Sequence, residues 1–376
     1  MELYIHLPFC KSKCRYCDFN SCANVDESLV FSYLSALNRE IRFAGEAYSK
    51  AKIDTVYIGG GTPSMLDAKR IASIMRVLSE SFDLSCVREC SIECNPESLD
   101  EKKLLAYKEA GINRISIGVQ SLSDANLRSV GRLHSAATAL SAIALANKHF
   151  ENVSCDVIVG LPYDICDNVA DELKTLAPLV KHISVYALTL EAGTALAKRV
   201  EEEKVLLPSD DEVADMLTVA EDVLKANGFD KYEVSNFARK GYESKHNVGY
   251  WTGEEYLGLG AGAHSFIKTS DGISPINAPV RFAQPKDINA YIAGVNCAEA
   301  YDRIPRVETC VLSEKDVFNE RIMLGLRMTC GVDGKLLEGR IPNELKSFFK
   351  FENGRVSLTR AGMAIMNSIL VRIMQF

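Results

Sequence analysis

The feature that most constrains the fold is a regular alternation of short apolar runs and amphipathic stretches, which extends from residue 2 to about residue 190. The alternation repeats about every 30 residues, the length of one strand–helix unit. Strands joined by helices run parallel, because each crossover returns the chain to the same end of the sheet. Six such units predict an α/β fold with a partial (β/α)6 barrel, since a closed eight-stranded barrel would need about 250 residues of this pattern.

The predicted strands share short apolar runs, and the predicted helices share apolar residues at helical spacing. The strands are Leu3–Leu7, Thr55–Ile58, Glu89–Glu93, Arg114–Val119, Ser154–Val159 and Ile183–Ala187. The helices are Ser28–Phe43, Ala68–Ser81, Glu101–Ala110, Ala136–Lys148 and Val169–Leu179. Glycines that follow the second and fifth strands mark the carboxyl edge of the sheet, where α/β barrels place their chemistry.

The pattern changes beyond about residue 210. Asp210–Asn227 predicts one long amphipathic helix that stops at Gly228. A Gly-rich stretch follows, and residues 268–308 hold four of the eleven prolines, which indicates a connecting segment. The remainder predicts helix, helix, hairpin at Asn353-Gly354 and helix, an order that resembles a small winged-helix module. We therefore divide the chain into a core of residues 1–230, a Gly-rich extension of residues 231–309 and a C-terminal α+β domain of residues 310–376.

A cysteine triplet with C-x3-C-x2-C spacing, Cys10, Cys14 and Cys17, directly follows the first predicted strand. Three interpretations are open: thiols without a metal, a zinc site with His6 as fourth ligand, or a [4Fe–4S] cluster. A closed cluster normally takes four protein ligands, so three would leave one metal corner open for a substrate or cofactor. His6 lies in an alternating strand pattern, and its ring would have to fold back across Pro8 to complete a zinc site.

Several polar residues are predicted near strand ends, where they could meet a ligand. Gly59-Gly-Gly-Thr62 follows the second strand, and glycines there let the backbone approach a ligand and donate N–H groups to its carboxylate. Glu93 ends the third strand and could bind ribose hydroxyls, although a solvated strand-end acid is equally open. Gln120 ends the fourth strand, Asp156 lies in the fifth, and Arg132 could meet a carboxylate. Taken singly, each of these three is more often a structural residue.

Two histidines stand near aromatic or Gly-rich segments. His246 belongs to Lys245-His-Asn-Val-Gly-Tyr250-Trp251, which contains the only tryptophan, and His264 follows a Gly-rich turn. A single histidine beside aromatic rings is more often a structural residue. The alternative is an axial heme ligand, His246 or His264, with Tyr250 and Trp251 as stacking surface.

Cys86, Cys90 and Cys94 look like a second metal-binding triplet. On one extended strand, however, the Cα atoms of Cys90 and Cys94 would lie ~13 Å apart, too far for one small metal centre. We interpret these cysteines as small apolar residues.

The composition limits location and partners. Twelve cysteines without a secretory signal predict a reducing, cytoplasmic location and no disulfide framework. No stretch approaches the ~20 apolar residues of a membrane span, and the first strand begins directly after Met1, which leaves no room for a signal peptide. The formal net charge of -7 argues against general nucleic-acid binding.

Taken in order, these motifs resemble the radical S-adenosylmethionine (SAM) superfamily over nearly the whole chain. They resemble in particular the group that includes oxygen-independent coproporphyrinogen III oxidase and the HemW-type heme chaperones. The pieces that carry the resemblance are the first strand with the cysteine triplet, Gly59-Gly-Gly-Thr-Pro, Glu93-Cys-Asn-Pro-Glu, Gly118-Val-Gln-Ser, Gly160-Leu-Pro, Tyr232-Glu-Val-Ser-Asn-Phe-Ala, His246-Asn-Val-Gly-Tyr-Trp and Leu257-Gly-Leu-Gly-Ala-Gly-Ala-His.

The resemblance implies that Cys10, Cys14 and Cys17 hold a [4Fe–4S] cluster with SAM beside it. The implied SAM-lining residues are Tyr4, Tyr16, Gly61, Thr62, Glu93, Gln120, Arg132 and Asp156. Gln120, Arg132 and Asp156 match positions that line a second SAM in the oxidase. The resemblance also implies one-electron reduction of SAM, which needs a donor such as flavodoxin or ferredoxin.

Two departures from the oxidase pattern favour the chaperone branch. Phe19 stands where the oxidase has a further cysteine, and the N-terminal arm of the oxidase has no counterpart before the first strand. The stretch from His246 to Trp251 resembles a heme-associated motif of the chaperones. We therefore predict a cytoplasmic protein that binds heme or porphyrin and passes it to a hemoprotein acceptor, with any membrane contact made through that acceptor. Oxidative decarboxylation of coproporphyrinogen III is the alternative.

Overall fold

The computed structural model describes residues 1–49, 51–268 and 278–374. Residues 269–277 of the predicted Pro-rich connection lie outside the described residues. A twelve-stranded sheet, a three-stranded sheet and a two-stranded pair are formed. The strands, numbered in chain order, are β1 (Glu2–Leu7), β2 (Phe9–Cys10), β3 (Cys22–Ala23), β4 (Thr55–Gly60), β5 (Glu89–Cys94), β6 (Arg114–Gln120), β7 (Asn152–Val159), β8 (His182–Ala187), β9 (Asp230–Lys231), β10 (Asn236–Ala238), β11 (Tyr256–Leu259), β12 (His264–Ile267), β13 (Val280–Ala283), β14 (Val307–Val311), β15 (Val332–Asp333), β16 (Phe349–Glu352) and β17 (Arg355–Leu358).

The helices follow the strands of the core and continue into the C-terminal part. They are α1 (Glu27–Ala47), α2 (Ala68–Ser81), α3 (Glu101–Glu109), α4 (Asp124–Ser129), α5 (Ala136–Ala146), α6 (Cys166–Leu176), α7 (Ala195–Glu201), α8 (Asp210–Ala226), α9 (Lys245–Thr252), α10 (Ile288–Cys297), α11 (Glu314–Gly325), α12 (Arg360–Ala364) and α13 (Met366–Ile373). Within the described residues, no helix is both long and apolar enough to cross a membrane.

The six predicted strands are present as β1, β4, β5, β6, β7 and β8, each within two residues of its predicted bounds. Two helices differ most from their predicted bounds: α1 ends at Ala47 instead of Phe43, and α6 begins at Cys166 instead of Val169 and ends at Leu176 instead of Leu179. Pro178 explains the early end, because proline supplies no N–H to continue the helical hydrogen bonds.

Parallel pairing runs through the strand order β11-β1-β4-β5-β6-β7-β8. Glu2 lies opposite Thr55, and the register continues to Leu7 opposite Gly60. Side chains alternate between the two faces of each strand. Leu3, Ile5 and Leu7 are fully buried in the main hydrophobic core, and burying each such side chain contributes about 1.5–3 kcal/mol. The alternate residues of each strand, which are largely polar, face the interior of the partial barrel.

The prediction of six parallel strands omits a seventh, β11, which pairs with β1 in parallel. Strands β12, β13 and β14 then extend this edge in antiparallel fashion, and β10 and β9 do the same beyond β8. The close approach of β11 and β12 needs glycine, because a Cβ on Gly258, within β11, would lie 2.1 Å from the carbonyl oxygen of His264. Gly260 and Gly262 both have positive φ, at 106° and 76°.

Helix α9 lies against the amino ends of β1, β4 and β5. The Glu89 carboxylate accepts hydrogen bonds from the start of the helix, including the backbone N–H of His246 at 3.4 Å. A carboxylate is favourable there because it satisfies free N–H groups and the positive end of the helix dipole. Nδ1 of His246 lies 2.7 Å from Oγ1 of Thr55. Gly249 packs directly on Glu2, so that a Cβ would lie 1.9 Å from Oε1. The helix therefore closes this end of the barrel.

A second, smaller core joins α11, the three-stranded sheet β15-β17-β16 and α13. Its hairpin turns at Asn353-Gly354, as predicted, and both residues have positive φ, at 51° and 75°. This pair of conformations is typical of a tight two-residue turn. Strand β14, which spans the predicted boundary at residue 310, pairs with β13 in the large sheet. The three-part division of the chain and the winged-helix comparison stay predictions.

Cys90 and Cys94 lie on β5, and both are buried as members of the main hydrophobic core. Cys86 precedes the strand and is exposed. This placement supports the interpretation of the two strand cysteines as apolar residues.

Candidate functional site

The cysteine triplet lies on the loop that leaves the carboxyl end of β1. Strands β2 and β3 close this loop as a short parallel pair, with Cys10 opposite Ala23. Cys10 is buried, Cys14 and Cys17 are half-buried, and all three thiols are free. Burial raises the pKa of Cys10 and of Cys17. A metal bound by these thiols would therefore displace their protons.

The glycine turn after β4 lies against the first cysteine. The backbone N–H of Gly61 donates to the carbonyl of Leu7 (2.9 Å), and that of Thr62 donates to the carbonyl of Phe9 (2.8 Å). A Cβ on Gly61 would lie 2.7 Å from the Phe9 carbonyl oxygen and 3.0 Å from Sγ of Cys10, so only glycine fits here. Oγ1 of Thr62 donates to Sγ of Cys10 at 3.5 Å.

Glu93 is held at the carboxyl end of β5 by two donors. The Tyr57 hydroxyl donates to Oε1 at 2.9 Å, and the Gly60 N–H donates to Oε2 at 3.0 Å. Burial raises the pKa of Glu93 to about 7, although both hydrogen bonds act in the opposite direction. A carboxylate oxygen has two lone pairs, so each oxygen keeps one for a ligand.

Three further predicted residues converge from β6, β7 and the segment after α4. Gln120 has φ of 66° beside a register shift in β6, and such a bulge redirects a side chain. Burial raises the pKa of Asp156 despite hydrogen bonding from serine hydroxyls. The guanidinium of Arg132 donates to Sγ of Cys14 at 3.5 Å and to the carbonyl of Gly118 at 2.8 Å.

These side chains line one cavity of about 470 Å³, which we call the thiol cavity. Every predicted cluster or SAM residue except Tyr4 lines it, namely Cys10, Cys14, Tyr16, Cys17, Gly61, Thr62, Glu93, Gln120, Arg132 and Asp156. Sequence reasoning missed several further lining residues. Arg114, Ser116 and Ser184 lie at inward-facing positions of predicted strands, so their strand alternation was a usable signal. Asn95, directly after β5, carried no such signal.

A second cavity of about 470 Å³, which we call the His264 cavity, opens beside the first. Tyr4 and Tyr250 line it, and His264 is exposed at its wall. Arg281 and Lys286 add cationic side chains to the lining. The residues that line both cavities are Asp18, Phe19, Gly60 and Glu93.

The predicted heme candidates separate in the structure. His246 is 1% exposed, and both of its ring nitrogens are engaged, Nδ1 by Thr55 and Nε2 by the Tyr250 hydroxyl at 3.0 Å. Burial lowers the pKa of His246 to about 3. Trp251 belongs to a different cluster, beneath the guanidinium of Arg327. This arrangement favours a structural role for His246 and Trp251. Of the four heme candidates, His264 and Tyr250 line the His264 cavity.

His6, the fourth ligand in the zinc interpretation, is occupied elsewhere. Its Nδ1 lies 3.0 Å from the Tyr4 hydroxyl, and its Nε2 lies 2.8 Å from the carbonyl oxygen of Asn20. The ring packs against Gly60, where a Cβ would lie 2.7 Å from Cε1. These contacts hold the imidazole in place and disfavour zinc binding through His6.

Comparisons with known proteins agree with this geometry. Residues 4–187 match the Radical SAM superfamily. The chain is 34% identical to "Heme chaperone HemW" of Bacillus subtilis, with 97% of each chain covered. It is 35% identical to the mitochondrial "Radical S-adenosyl methionine domain-containing protein 1" of Danio rerio, covering 88% of this chain and 73% of the relative. Among solved structures, Coproporphyrinogen III oxidase (HemN) from Escherichia coli superposes with a TM-score of 0.79 over 100% of this chain and 90% of that one. At 22% identity, this last similarity establishes the fold alone.

Proposed function

The chain belongs to the radical SAM superfamily and, within it, to the HemW family, and from this premise we propose that it binds heme and passes it to a hemoprotein. The observation that supports this proposal is the pair of adjoining cavities, one lined by three free thiols and the other by an exposed histidine, aromatic rings and cations. Membership of the superfamily implies a [4Fe–4S] cluster and SAM.

The thiol cavity fits these two groups. Three thiols are soft ligands suited to an iron–sulfur cluster. We assign Cys10, Cys14 and Cys17 as the ligands of this cluster. The assignment is supported by Gly61, which leaves a space beside Sγ of Cys10 that a single Cβ would fill. When bound, the cluster would supply one electron to the sulfonium of SAM.

The chain's own groups would then orient SAM and exclude water. The backbone N–H groups of Gly61 and Thr62 are engaged by Leu7 and Phe9, so these two residues would offer carbonyl oxygens to the amino group of SAM. Glu93 offers two acceptor oxygens to its ribose. Tyr16 packs with Val130 and Ile158, which shields this side of the cavity from solvent. Gln120 and Asp156 line the same cavity, where a second SAM or the edge of a porphyrin would lie, and Arg132 lies between them and Cys14.

We assign heme to the His264 cavity. Neutral imidazole is a common ligand of heme iron, and His264 is the exposed histidine of this lining. Tyr250 and Tyr256 supply flat aromatic surface, and Lys286 matches the charge of a propionate, whereas Arg281 is already paired with Glu320. His246 would act indirectly, by holding the Tyr250 hydroxyl.

Transfer without porphyrin turnover is favoured over decarboxylation by the HemW relatives and by Phe19. This side chain is 69% exposed and lines both cavities, at the position where the oxidase pattern has a cysteine. We further propose that a flavodoxin- or ferredoxin-type protein donates the electron and that the acceptor is a hemoprotein met in the cytoplasm or at a membrane.

Anaerobic spectroscopy and heme titration test the proposal. The reconstituted protein should be brown, and its electron paramagnetic resonance signal should change when SAM is added. Heme should bind with a saturable Soret band that weakens in His264→Ala. His149→Ala is a matched control, because that ring contacts Glu101 outside both cavities. Formation of protoporphyrinogen from coproporphyrinogen III, SAM and a reductant would instead support the oxidase, and heme binding unchanged in His264→Ala would refute the heme assignment.

A further inference from the structure

The side chain of Asn95 connects two residues that contact cysteine sulfurs. Asn95 follows β5, and its backbone N–H donates to Oγ of Ser64 at 3.0 Å. Its Nδ2 donates to Oγ1 of Thr62 at 3.1 Å, and its Oδ1 accepts from the Arg132 guanidinium at 2.8 Å. One amide group therefore holds two different partners at the same time.

Each of these partners in turn donates to a thiol of the triplet. Thr62 Oγ1 donates to Sγ of Cys10 at 3.5 Å, and Arg132 donates to Sγ of Cys14 at 3.5 Å through its other terminal nitrogen. Asn95 thus lies at the centre of a symmetrical arrangement, with one donor and one sulfur on each side.

Only an amide can serve both sides of this arrangement. The Thr62 hydroxyl uses its proton on sulfur and needs a donor behind it, whereas the Arg132 guanidinium can only donate and needs an acceptor. Aspartate would supply the acceptor without the donor, and leucine would supply neither. The acceptors of Arg132 in these bonds are the thiol, the amide oxygen and the carbonyl of Gly118, none of which neutralises its charge.

We propose that Asn95 is a positioning residue that holds the Thr62 hydroxyl and the Arg132 guanidinium against the sulfurs of Cys10 and Cys14, and thereby raises the reduction potential of the cluster. The inference rests on the proposed ligation of a cluster by these cysteines. Reduction adds negative charge that is shared with the ligand sulfurs, so hydrogen bonds and a cation at those sulfurs stabilise the reduced form more than the oxidised form. Removing them makes the cluster harder to reduce.

The test is a redox titration of the reconstituted full-length protein without SAM, followed by electron paramagnetic resonance. Asn95→Leu should lower the midpoint potential because both donors lose their anchor. Asn95→Asp should lower it as well, because the carboxylate neutralises Arg132 and offers no donor to Thr62. Arg76→Gln is the matched control: this guanidinium pairs with Glu80 on the surface of α2 and lines neither cavity, so its loss should leave the potential near that of wild type.

A second pair of variants keeps the proposal testable if the Asn95 variants load poorly. Thr62→Val removes the hydroxyl at nearly constant shape and should lower the potential, whereas Thr62→Ser keeps the hydroxyl and should not. A fully loaded Asn95→Leu or Thr62→Val protein with the wild-type potential would overturn the inference. Wild-type protein without any cluster signal would instead overturn the proposed function, so the two failures are distinguishable.

Discussion

Replacing Glu93 with glutamine tests the strand-end carboxylate that we propose binds the ribose of SAM. Its two oxygens accept from the Tyr57 hydroxyl and the Gly60 N–H, and each keeps one lone pair for a ribose hydroxyl. Glutamine retains only one acceptor oxygen, and it carries no charge. One charge-assisted hydrogen bond, worth about 2 kcal/mol, is lost, and the other becomes a neutral bond that is weaker by about 1 kcal/mol, so SAM should bind roughly a hundred-fold more weakly.

The pH dependence of SAM binding provides an independent readout. Burial raises the pKa of Glu93 from 4.5 to about 7, so the carboxyl is mostly protonated at pH 6 and mostly ionised at pH 8. Since only the ionised form accepts through both oxygens, affinity should rise by about tenfold over this interval. Any titration of SAM itself is common to wild type and variant. The difference between their two pH profiles therefore reports Glu93 alone.

Anaerobic calorimetry with cluster-loaded protein at pH 6, 7 and 8 measures both effects. Glu97→Gln is a matched control, because that carboxylate faces His134 and does not line the thiol cavity. Tyr57→Phe should move the midpoint of the profile to higher pH, since the Tyr57 hydroxyl lowers the pKa of Glu93. Equal SAM affinity of wild type and Glu93→Gln at pH 8 would refute the assignment of Glu93 to the ribose.

Three further substitutions have defined outcomes. Gly61→Ala should abolish cluster loading, measured as bound iron and sulfide, because its Cβ would lie 3.0 Å from Sγ of Cys10. Full loading of this variant would contradict the requirement for glycine beside Cys10. Burial raises the pKa of Glu40 from 4.5 to about 7, so the folded protein favours the protonated carboxyl. The free energy of unfolding of wild type should therefore fall by up to about 3 kcal/mol as pH rises from 4.5 to 7. Glu40→Gln should lack this loss in thermal melts, and parallel pH profiles would contradict it. Gly249→Ala should cost at least about 1–3 kcal/mol in urea denaturation, because its Cβ would meet Oε1 of Glu2 at 1.9 Å, and wild-type stability would contradict the proposed closure by α9.

The parallel core could be predicted because its signals are local. Each strand from β4 to β8 is a short apolar run followed within one unit by its helix, so periodicity and chain order together determine the pairing. The position of the site followed from the same reasoning. Residues after parallel strands meet at one edge of the sheet, and Cys10, Gly61 and Glu93 are indeed gathered at one cavity there.

The remaining features depend on contacts between distant segments. The pairing of β1 with β11 joins Glu2 to Tyr256, and neither segment carries a local mark of the other. The role that we propose for Asn95 depends on side chains from three separate loops, so the sequence Glu-Cys-Asn-Pro does not display it. His246 was interpreted through its aromatic neighbours, whereas its burial follows from the packing of α9 against Thr55 and Glu89.

The shared wall between the two cavities constrains how their ligands can act on each other. Phe19 and Glu93 line both cavities, whereas Gln120 lines only the thiol cavity and His264 only the other. A ligand that moves Phe19 in one cavity changes the space available in the other, because this side chain lines both cavities. Coupling between SAM and heme therefore requires no long-range conformational change. It would follow from the residues that the two proposed binding sites share, and it should be carried by these shared residues and be absent from those that line a single cavity.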